Sequence, residues 1–187
     1  MRIILLLIIL TVFPAVSFAA YDSVCSGGIP MKPSTPTAKF DYSTSNGNVL
    51  IDNRYGLMWM RCVVGQELHP TFKSCDGTAL SANWTDALTE VGVANASSAF
   101  GFNDWRMPNI KELMSIVEHT CSYPALNDTL FPGASGYSVW SNTPATDFIS
   151  SNPKEVRYVD FATGSAGTEN ITENAIYIRL VRDYIAP

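Results

Sequence analysis

The side chains that could carry catalysis are few and scattered along this chain. The HExxH, GxSxG, GxGxxG and phosphate-loop patterns are all absent. The two histidines have structural interpretations, because His69 lies in a predicted disulfide loop and His119 closes a predicted helix. Paired carboxylates could be imagined near the C-terminus, but acids scattered in polar loops explain them equally well: Asp147, Glu155, Asp160, Glu169 and Glu173. We therefore expect neither an enzyme nor a cofactor.

The N-terminus has the pattern of a secretory signal peptide. Arg2 precedes an apolar run over residues 3–13, Pro14 ends it, and Ser17 and Ala19 supply the small residues of a cleavage site. A membrane-spanning helix needs about 20 apolar residues, which is more than this run contains. We expect residues 1–19 to be removed, the chain to reach the periplasm, the cell surface or the medium, and no stable membrane insertion afterwards.

The four cysteines are the remaining reactive side chains, and they are Cys25, Cys62, Cys75 and Cys121. No CxxC pair is present, which argues against a zinc site. An even number of cysteines in an exported chain favours two disulfides, and three pairings are open. We favour Cys62 with Cys75, because glycine, proline and polar residues between them are typical of an excursion from the end of a strand. Cys25 with Cys121 is then forced.

Composition predicts one packed domain. The chain has 187 residues, of which 47% are hydrophobic and 16% charged. The net charge is -5, and it becomes one unit more negative without Arg2. This balance argues against non-specific nucleic-acid binding and against a purely electrostatic grip on polyanions. Glycine and proline make residues 20–36 an extended leader, which leaves residues 37–187 as the domain.

Two helices are predicted between groups of strands. Asn83 precedes an apolar stripe with helical spacing, which places helix one from Trp84 to about Val93. The stripe consists of Trp84, Ala87, Leu88 and Val91. Asn109 and Glu112 have the spacing of a capping box, so helix two should run from Ile110 to about His119.

The strand predictions flank these helices. Val49–Asp52 and Leu57–Arg61 are typical of a hairpin, with Leu57 and Trp59 on one face. Strand-like segments follow helix two at Val139–Ser141, Glu155–Phe161 and Ala175–Arg182. In the last segment Ile176, Ile178 and Leu180 alternate with Tyr177, Arg179 and Val181. Strands, two helices and further strands predict an α+β fold with a mainly antiparallel sheet.

A dense motif, Asp104-Trp105-Arg106-Met107-Pro108, precedes helix two. It could form a recognition surface. Alternatively, Trp105 fills the core while Arg106 binds loop carbonyls or a carboxylate. We favour the second interpretation, because large aromatic side chains are usually buried.

Four ordered motifs carry a family resemblance: Tyr55-Gly56-Leu57-Met58-Trp59-Met60-Arg61-Cys62, the run from Asp104 to Leu113, Val139-Trp140-Ser141-Asn142-Thr143-Pro144, and Tyr177-Ile178-Arg179-Leu180-Val181-Arg182. Together they resemble the Lcl C-terminal domain family, named for the C-terminal domain of the Legionella collagen-like adhesin. The resemblance extends from about Pro36 to Arg182.

The resemblance implies a bacterial protein with a C-type-lectin-like fold, related to formylglycine-generating enzymes. In the collagen-like adhesin such a domain binds sulfated polysaccharide and supports attachment. This chain differs in its negative charge, in having no Gly-X-Y stalk, and in having Arg157 where the family often has Trp. No cysteine follows Cys121, so the formylglycine-generating activity is not carried over.

If this fold is correct, ligand should bind the loops and strands after Phe131. With Val159 and Phe161 facing the core, Tyr158 and Asp160 should lie on the opposite face. The predicted ligand-binding set is Asn142, Asp147, Asn152, Tyr158, Asp160 and Asn174. An aromatic ring with amides and acids suits sugars, whereas no loop has the acid spacing of a calcium site.

The expected partner is therefore a glycan or another cell-surface ligand, with no metal and no nucleic acid. A non-catalytic structural component of a cell-surface or pilus-type assembly is the alternative. Oligomerisation stays open.

Overall fold

The computed structural model describes residues 29–30, 40–42, 47–71, 74–133, 136–145, 154–173 and 175–185. The strands are β1 (Ile29–Pro30), β2 (Phe40–Tyr42), β3 (Val49–Asp52), β4 (Leu57–Met60), β5 (Gln66–Leu68), β6 (Cys75–Gly77), β7 (Ser81–Ala82), β8 (Cys121–Ser122), β9 (Ser138–Pro144), β10 (Glu155–Asp160), β11 (Ser165–Asn170), β12 (Ile176–Tyr177) and β13 (Val181–Asp183). The helices are α1 (Trp84–Ala96) and α2 (Ile110–Ser115). None of the helices in these ranges has the length and apolar character needed to cross a membrane.

Two main sheets organise the described chain, beside the two-stranded pairs β1-β8 and β5-β6. The larger has five strands in the order β11-β10-β9-β12-β7, and the smaller has four in the order β13-β4-β3-β2. Adjacent strands are antiparallel except for β9 and β12, which are parallel. The predicted α+β class with a mainly antiparallel sheet and two helices is confirmed for these residues.

The predicted hairpin is present as β3 and β4, joined by a turn at residues 53–56. Gly56 has φ +63°, a conformation that suits a residue without a Cβ at the end of this tight turn. Strand alternation sends Leu57 and Trp59 into one hydrophobic cluster and Met58 and Met60 into another. Strand β4 therefore separates two cores.

The first core lies between α2, one face of the larger sheet and one face of the smaller sheet. It includes Leu57, Trp59, Leu113, Phe131, Val139, Val159, Phe161 and Val181. The second core lies beneath α1 and includes Met58, Met60, Ala87, Trp105, Met107, Trp140, Val156, Ile176, Ile178 and Leu180. Both faces of β9 and β10 are thereby covered in part.

Helix α1 starts where Asn83 predicts and ends three residues later than expected. The Asn83 side chain accepts a hydrogen bond from the Asp86 backbone N–H (2.9 Å). Ala87 is its only buried residue, and Leu88 is 42% exposed. The assignment of Leu88 to the core stripe was wrong, because the second core contacts α1 along a narrower line through Trp84, Ala87 and Val91.

Helix α2 has the predicted capping box but is shorter than expected. Asn109 and Glu112 each accept a hydrogen bond from the other residue's backbone N–H. The helix ends at Ser115 because Val117 forms an antiparallel bridge with Leu126, which requires extended backbone. His119 is exposed and outside the helix, so its predicted role at the helix end was wrong.

The segment predicted as one strand from Ala175 to Arg182 forms two. Strand β12 belongs to the larger sheet and β13 to the smaller one, so the chain crosses between sheets at residues 178–180. The predicted alternation persists across the break, since Ile176, Ile178 and Leu180 lie in the second core. Strand β11 was not predicted, because its sequence Ser-Ala-Gly-Thr-Glu-Asn has no apolar alternation.

The Cys62–Cys75 disulfide is confirmed, with 5.8 Å between the Cα atoms. It joins the end of β4 to the start of β6. Cys25 lies outside the described residues, so its pairing with Cys121 stays a prediction. Strand β1 of the leader pairs with β8, placing the backbone of Pro30 opposite Cys121.

Candidate functional site

The motif at residues 55–62 contributes buried scaffold. The fully buried Trp59 ring meets Phe131 edge-on, with 6.4 Å between the ring centroids. The buried Arg61 guanidinium donates hydrogen bonds to three backbone carbonyl oxygens, those of Gly47, Thr129 and Leu130. Arg61 therefore fixes the start of β3 against the loop that leads to Phe131, and neither side chain is available to a ligand.

Trp105 also serves the scaffold, as the second interpretation of its motif predicts. Its ring is buried in the second core, and its Nε1 donates to the Ala99 carbonyl oxygen at 2.9 Å. The Asn95 side chain accepts from the Trp105 backbone N–H (2.7 Å) and donates to its carbonyl oxygen (2.9 Å). These bonds fasten the end of α1 to the motif.

Arg106 binds carboxylates, as that interpretation expects. Its guanidinium donates to both Glu112 oxygens at 2.9 Å and to an Asp183 oxygen at 2.6 Å. Hydrogen bonding to Glu112 is the main cause that raises the pKa of Arg106. Glu112 also accepts from the Asn109 backbone N–H, so its carboxylate is already bound by three protein donors.

The remaining two motifs also contribute buried residues. Trp140 is fully buried, and its Nε1 donates to the Ala82 carbonyl oxygen at 2.9 Å. Arg179 donates to the carbonyl oxygens of Met60 (2.7 Å) and Arg61 (2.5 Å), and it lies over the Phe131 ring. Burial lowers the pKa of Arg179 to about 9. These buried side chains of the four motifs therefore belong to the scaffold.

The predicted ligand-binding set is only partly within the described residues. Asp147, Asn152 and Asn174 lie outside them. Asn142 is exposed on β9, whereas Tyr158 and Asp160 are half-buried on β10. The structure therefore places three of the six residues on neighbouring strands, and ligand binding there stays a prediction.

Tyr158 has a packing role that the sequence did not indicate. Its ring meets Trp140 edge-on at 6.4 Å between centroids and packs against the second core. Gly167 on β11 lies directly over it, since a Cβ there would come within 2.6 Å of the Tyr158 Cζ. Tyr158 lies opposite Val159 and Phe161, as the strand alternation predicts, but the second core covers part of this face as well.

Asp160 is committed to the turn between β10 and β11. Its carboxylate accepts from the Ala162 backbone N–H at 2.9 Å and from the Thr163 hydroxyl at 2.8 Å. The Thr163 hydroxyl also lies 2.8 Å from the Ser165 hydroxyl. This network orders the turn, and Asp160 as a whole remains half-exposed.

A concave site that the sequence did not predict lies between the β3–β4 turn and α2. This Tyr55 groove has a volume of about 330 Å³ and is lined by Tyr55, Leu57, Asn109, Lys111, Glu112 and Ser115. The Tyr55 ring is 56% exposed. Arg54 stacks on it with 4.6 Å from its Cζ to the ring centroid and donates to the Ser115 carbonyl oxygen (3.3 Å). The turn and the helix are thereby held together.

The polar groups of the Tyr55 groove differ in how many hydrogen bonds they form with the rest of the protein. Glu112 is bound by Arg106, and the Ser115 hydroxyl donates to the Glu112 carbonyl oxygen. Within the described part of the chain, the Lys111 ammonium and the Asn109 Nδ2 have no protein acceptor. The groove therefore offers an aromatic ring and hydrogen-bond donors, while its carboxylate is occupied.

Sequence reasoning missed this groove because its walls are more than 50 positions apart. Tyr55 and Lys111 belong to two different motifs of the sequence, and nothing in either motif indicates that they meet. The only local signal was an aromatic residue in a hairpin turn, where nothing requires burial.

The comparisons with known proteins agree with the motifs. A sequence model described as the Lcl C-terminal domain matches residues 48–182, which is most of the chain. No protein with a curated description matches it. The matched range contains both helices, the disulfide and both cores. The chain belongs to the Lcl C-terminal domain family.

Proposed function

We propose that this protein is a non-catalytic ligand-binding module that is exported by its signal peptide, acts at the bacterial cell surface, and recognises carbohydrate. Family membership supports a surface role, since the family takes its name from an adhesin domain. A C-type-lectin-like fold with a second disulfide, Cys25–Cys121, belongs to the same proposal.

The observation that carries the proposal is the Tyr55 groove. Sugars bind proteins by laying their C–H faces on aromatic rings while their oxygens accept and donate hydrogen bonds. The groove supplies an exposed ring next to Lys111 and Asn109, whose donors are unused within the described residues. Leu57 gives it an apolar wall. A sugar with oxygen acceptors, including a uronic acid, matches this combination.

The surface formed by Asn142, Tyr158 and Asp160, with Asp147, Asn152 and Asn174, is the competing location for the ligand. Tyr158 is half-buried, and the Asp160 carboxylate is hydrogen-bonded within its turn. Both observations make this surface less accessible to a ligand than the Tyr55 groove. Asp147, Asn152 and Asn174 would supply further acid and amide groups.

A glycan array with the purified protein tests the function and its location together. We expect binding, and we expect Tyr55→Ala to weaken it about tenfold, which corresponds to about 1.4 kcal/mol. Tyr55→Phe should keep most of the affinity, because the ring is retained. Tyr123→Ala is the matched control, since Tyr123 is equally exposed but lies outside the groove.

Three outcomes would change the proposal. Loss of binding in Asn142→Ala or Asp147→Ala, with Tyr55→Ala unaffected, would move the site to the competing surface. Absence of glycan binding together with stable self-association would favour the structural component of a surface or pilus-type assembly. Turnover of a glycan by the protein would contradict a non-catalytic role.

A further inference from the structure

A second groove lies between α1 and the segment that follows β4. This α1 groove has a volume of about 290 Å³. Its apolar lining includes Met60, Val64, Val93, Ala94 and Phe100. Val93 is 55% exposed, which is a high fraction for an aliphatic side chain on a helix that also packs on a core. The groove is separate from the Tyr55 groove and shares no lining residue with it.

Ala99 and Phe100, which form one wall of the groove, lie in a segment with an uncommon backbone conformation. Ser98 has φ +50° and Phe100 has φ +54°, values that L-residues with side chains rarely adopt. The Trp105 hydrogen bond to the Ala99 carbonyl oxygen fixes this wall to the scaffold. The surrounding structure therefore maintains a costly conformation that presents Phe100 to the groove.

The charged groups of the α1 groove are both acidic. Glu67 lies on β5 and Glu90 on α1, and neither has an ion-pair or hydrogen-bond partner among the residues that the structure describes. Helix α1 carries no lysine or arginine that could neutralise Glu90. The groove therefore combines an apolar floor with two free acceptors, which complements a partner with apolar side chains beside positive charge.

We propose that the α1 groove binds a basic amphipathic peptide segment of a partner protein, with apolar side chains on the floor and lysine or arginine at Glu67 and Glu90. A bare carbohydrate would meet only the half-buried Phe100 ring here. An anionic lipid surface would be repelled by the two carboxylates. This proposal does not rest on carbohydrate binding at the Tyr55 groove.

Fluorescence anisotropy with a labelled eight-residue peptide of alternating leucine and lysine tests the site. The matched probe has glutamate in place of lysine and should not bind. The Glu67→Gln/Glu90→Gln double variant should bind the leucine-lysine peptide about tenfold more weakly, as expected for the loss of two ion pairs. Glu169→Gln/Glu173→Gln removes the same charge outside the groove and should bind as the unmodified protein does.

A second pair of variants separates the groove from the helix that forms it. Val93→Ser should weaken peptide binding about fivefold through lost apolar contact, while Leu88→Ser on the same helix should leave it unchanged. Thermal melting of each variant checks that the fold is intact. Equal binding of both peptides, equal effects of the two double variants, or equal effects of the two serine variants would overturn the proposal.

Discussion

The Tyr55 groove and the α1 groove start from the two ends of one strand and have opposite chemistry. Leu57, the first residue of β4, lines the Tyr55 groove, and Met60, the last, lines the α1 groove. The side chains point into different cores, so the grooves lie on different sides of the strand. The Tyr55 groove keeps free donors, whereas the α1 groove keeps free acceptors.

The difference arises from how each neighbouring helix is capped. In α2 the Glu112 carboxylate accepts hydrogen bonds from Arg106 and from the Asn109 backbone N–H. Lys111 is therefore the charged side chain of this groove that is left to bind a ligand. In α1 the cap consists of hydrogen bonds between Asn83 and Asp86 in the first turn. Glu90, one turn later, takes no part in the cap. Both helices are capped, but the cap of α2 binds the carboxylate that lines its groove, whereas the cap of α1 does not. A positive charge therefore remains in the first groove and a negative charge in the second.

The largest expected effect comes from removing the residue that supports the α1 groove. Trp105→Ala should lower the free energy of unfolding by roughly 3 to 5 kcal/mol, because it empties part of the second core and breaks the bond to Ala99. Chemical denaturation measures this. Tyr55→Ala, which removes an exposed ring, should stay within about 0.5 kcal/mol. A stable Trp105→Ala variant would contradict the scaffold assignment.

The second-largest effect is the difference between Glu112 and Glu90 in their contribution to the free energy of unfolding. Glu112→Ala should cost about 2 kcal/mol, since it removes a helix cap and leaves the half-buried Arg106 without its bidentate partner. Glu90→Ala should change stability by less than about 0.5 kcal/mol. Urea titrations of both variants compare them directly. Equal costs would show that Glu90 is engaged in the folded protein and would remove the difference between the grooves.

Tyr158 tests whether a third surface carries the ligand instead. Tyr158→Ala should cost roughly 1 to 2 kcal/mol because its ring packs against Trp140 beneath Gly167, whereas Tyr158→Phe should be nearly neutral. Differential scanning fluorimetry and glycan binding are measured on the same samples. If Tyr158→Phe abolished glycan binding with an unchanged melting temperature, the phenol hydroxyl would contact the ligand and the Tyr55 groove would lose its role.

The smallest effect concerns the surface ion pair beside the second core. Arg182 donates to both Asp104 oxygens (2.6 and 2.9 Å), which lowers the Asp104 pKa below its ordinary value of 3.8. Its stabilising contribution is therefore complete above that value and is lost as the pH falls through the lowered pKa. An NMR titration of the Asp104 carboxyl should show this depression, and Arg182→Gln should reverse it. An unchanged Asp104 pKa in Arg182→Gln would exclude the pair as its cause.

The sequence predicted the features that depend on residues close together in the chain. The β3–β4 hairpin, the Asn83 cap and the Asn109–Glu112 capping box each depend on residues a few positions apart, and all three are present. The division of Ala175–Arg182 between two sheets and the early end of α2 depend on partners far along the chain. The grooves depend on such partners too, because Tyr55 meets α2 and Met60 meets α1 only after folding.

The opposite chemistry of the two grooves is tested most directly by NMR chemical-shift mapping on one labelled sample. Glucuronic acid should perturb the backbone amides of Tyr55, Lys111 and their neighbours, and the leucine-lysine peptide should perturb those of Glu67, Glu90 and Val93. Each ligand should leave the other groove unchanged. Perturbation of one common surface by both ligands, or of neither groove, would contradict the assignment of a donor groove and an acceptor groove to the two sides of β4.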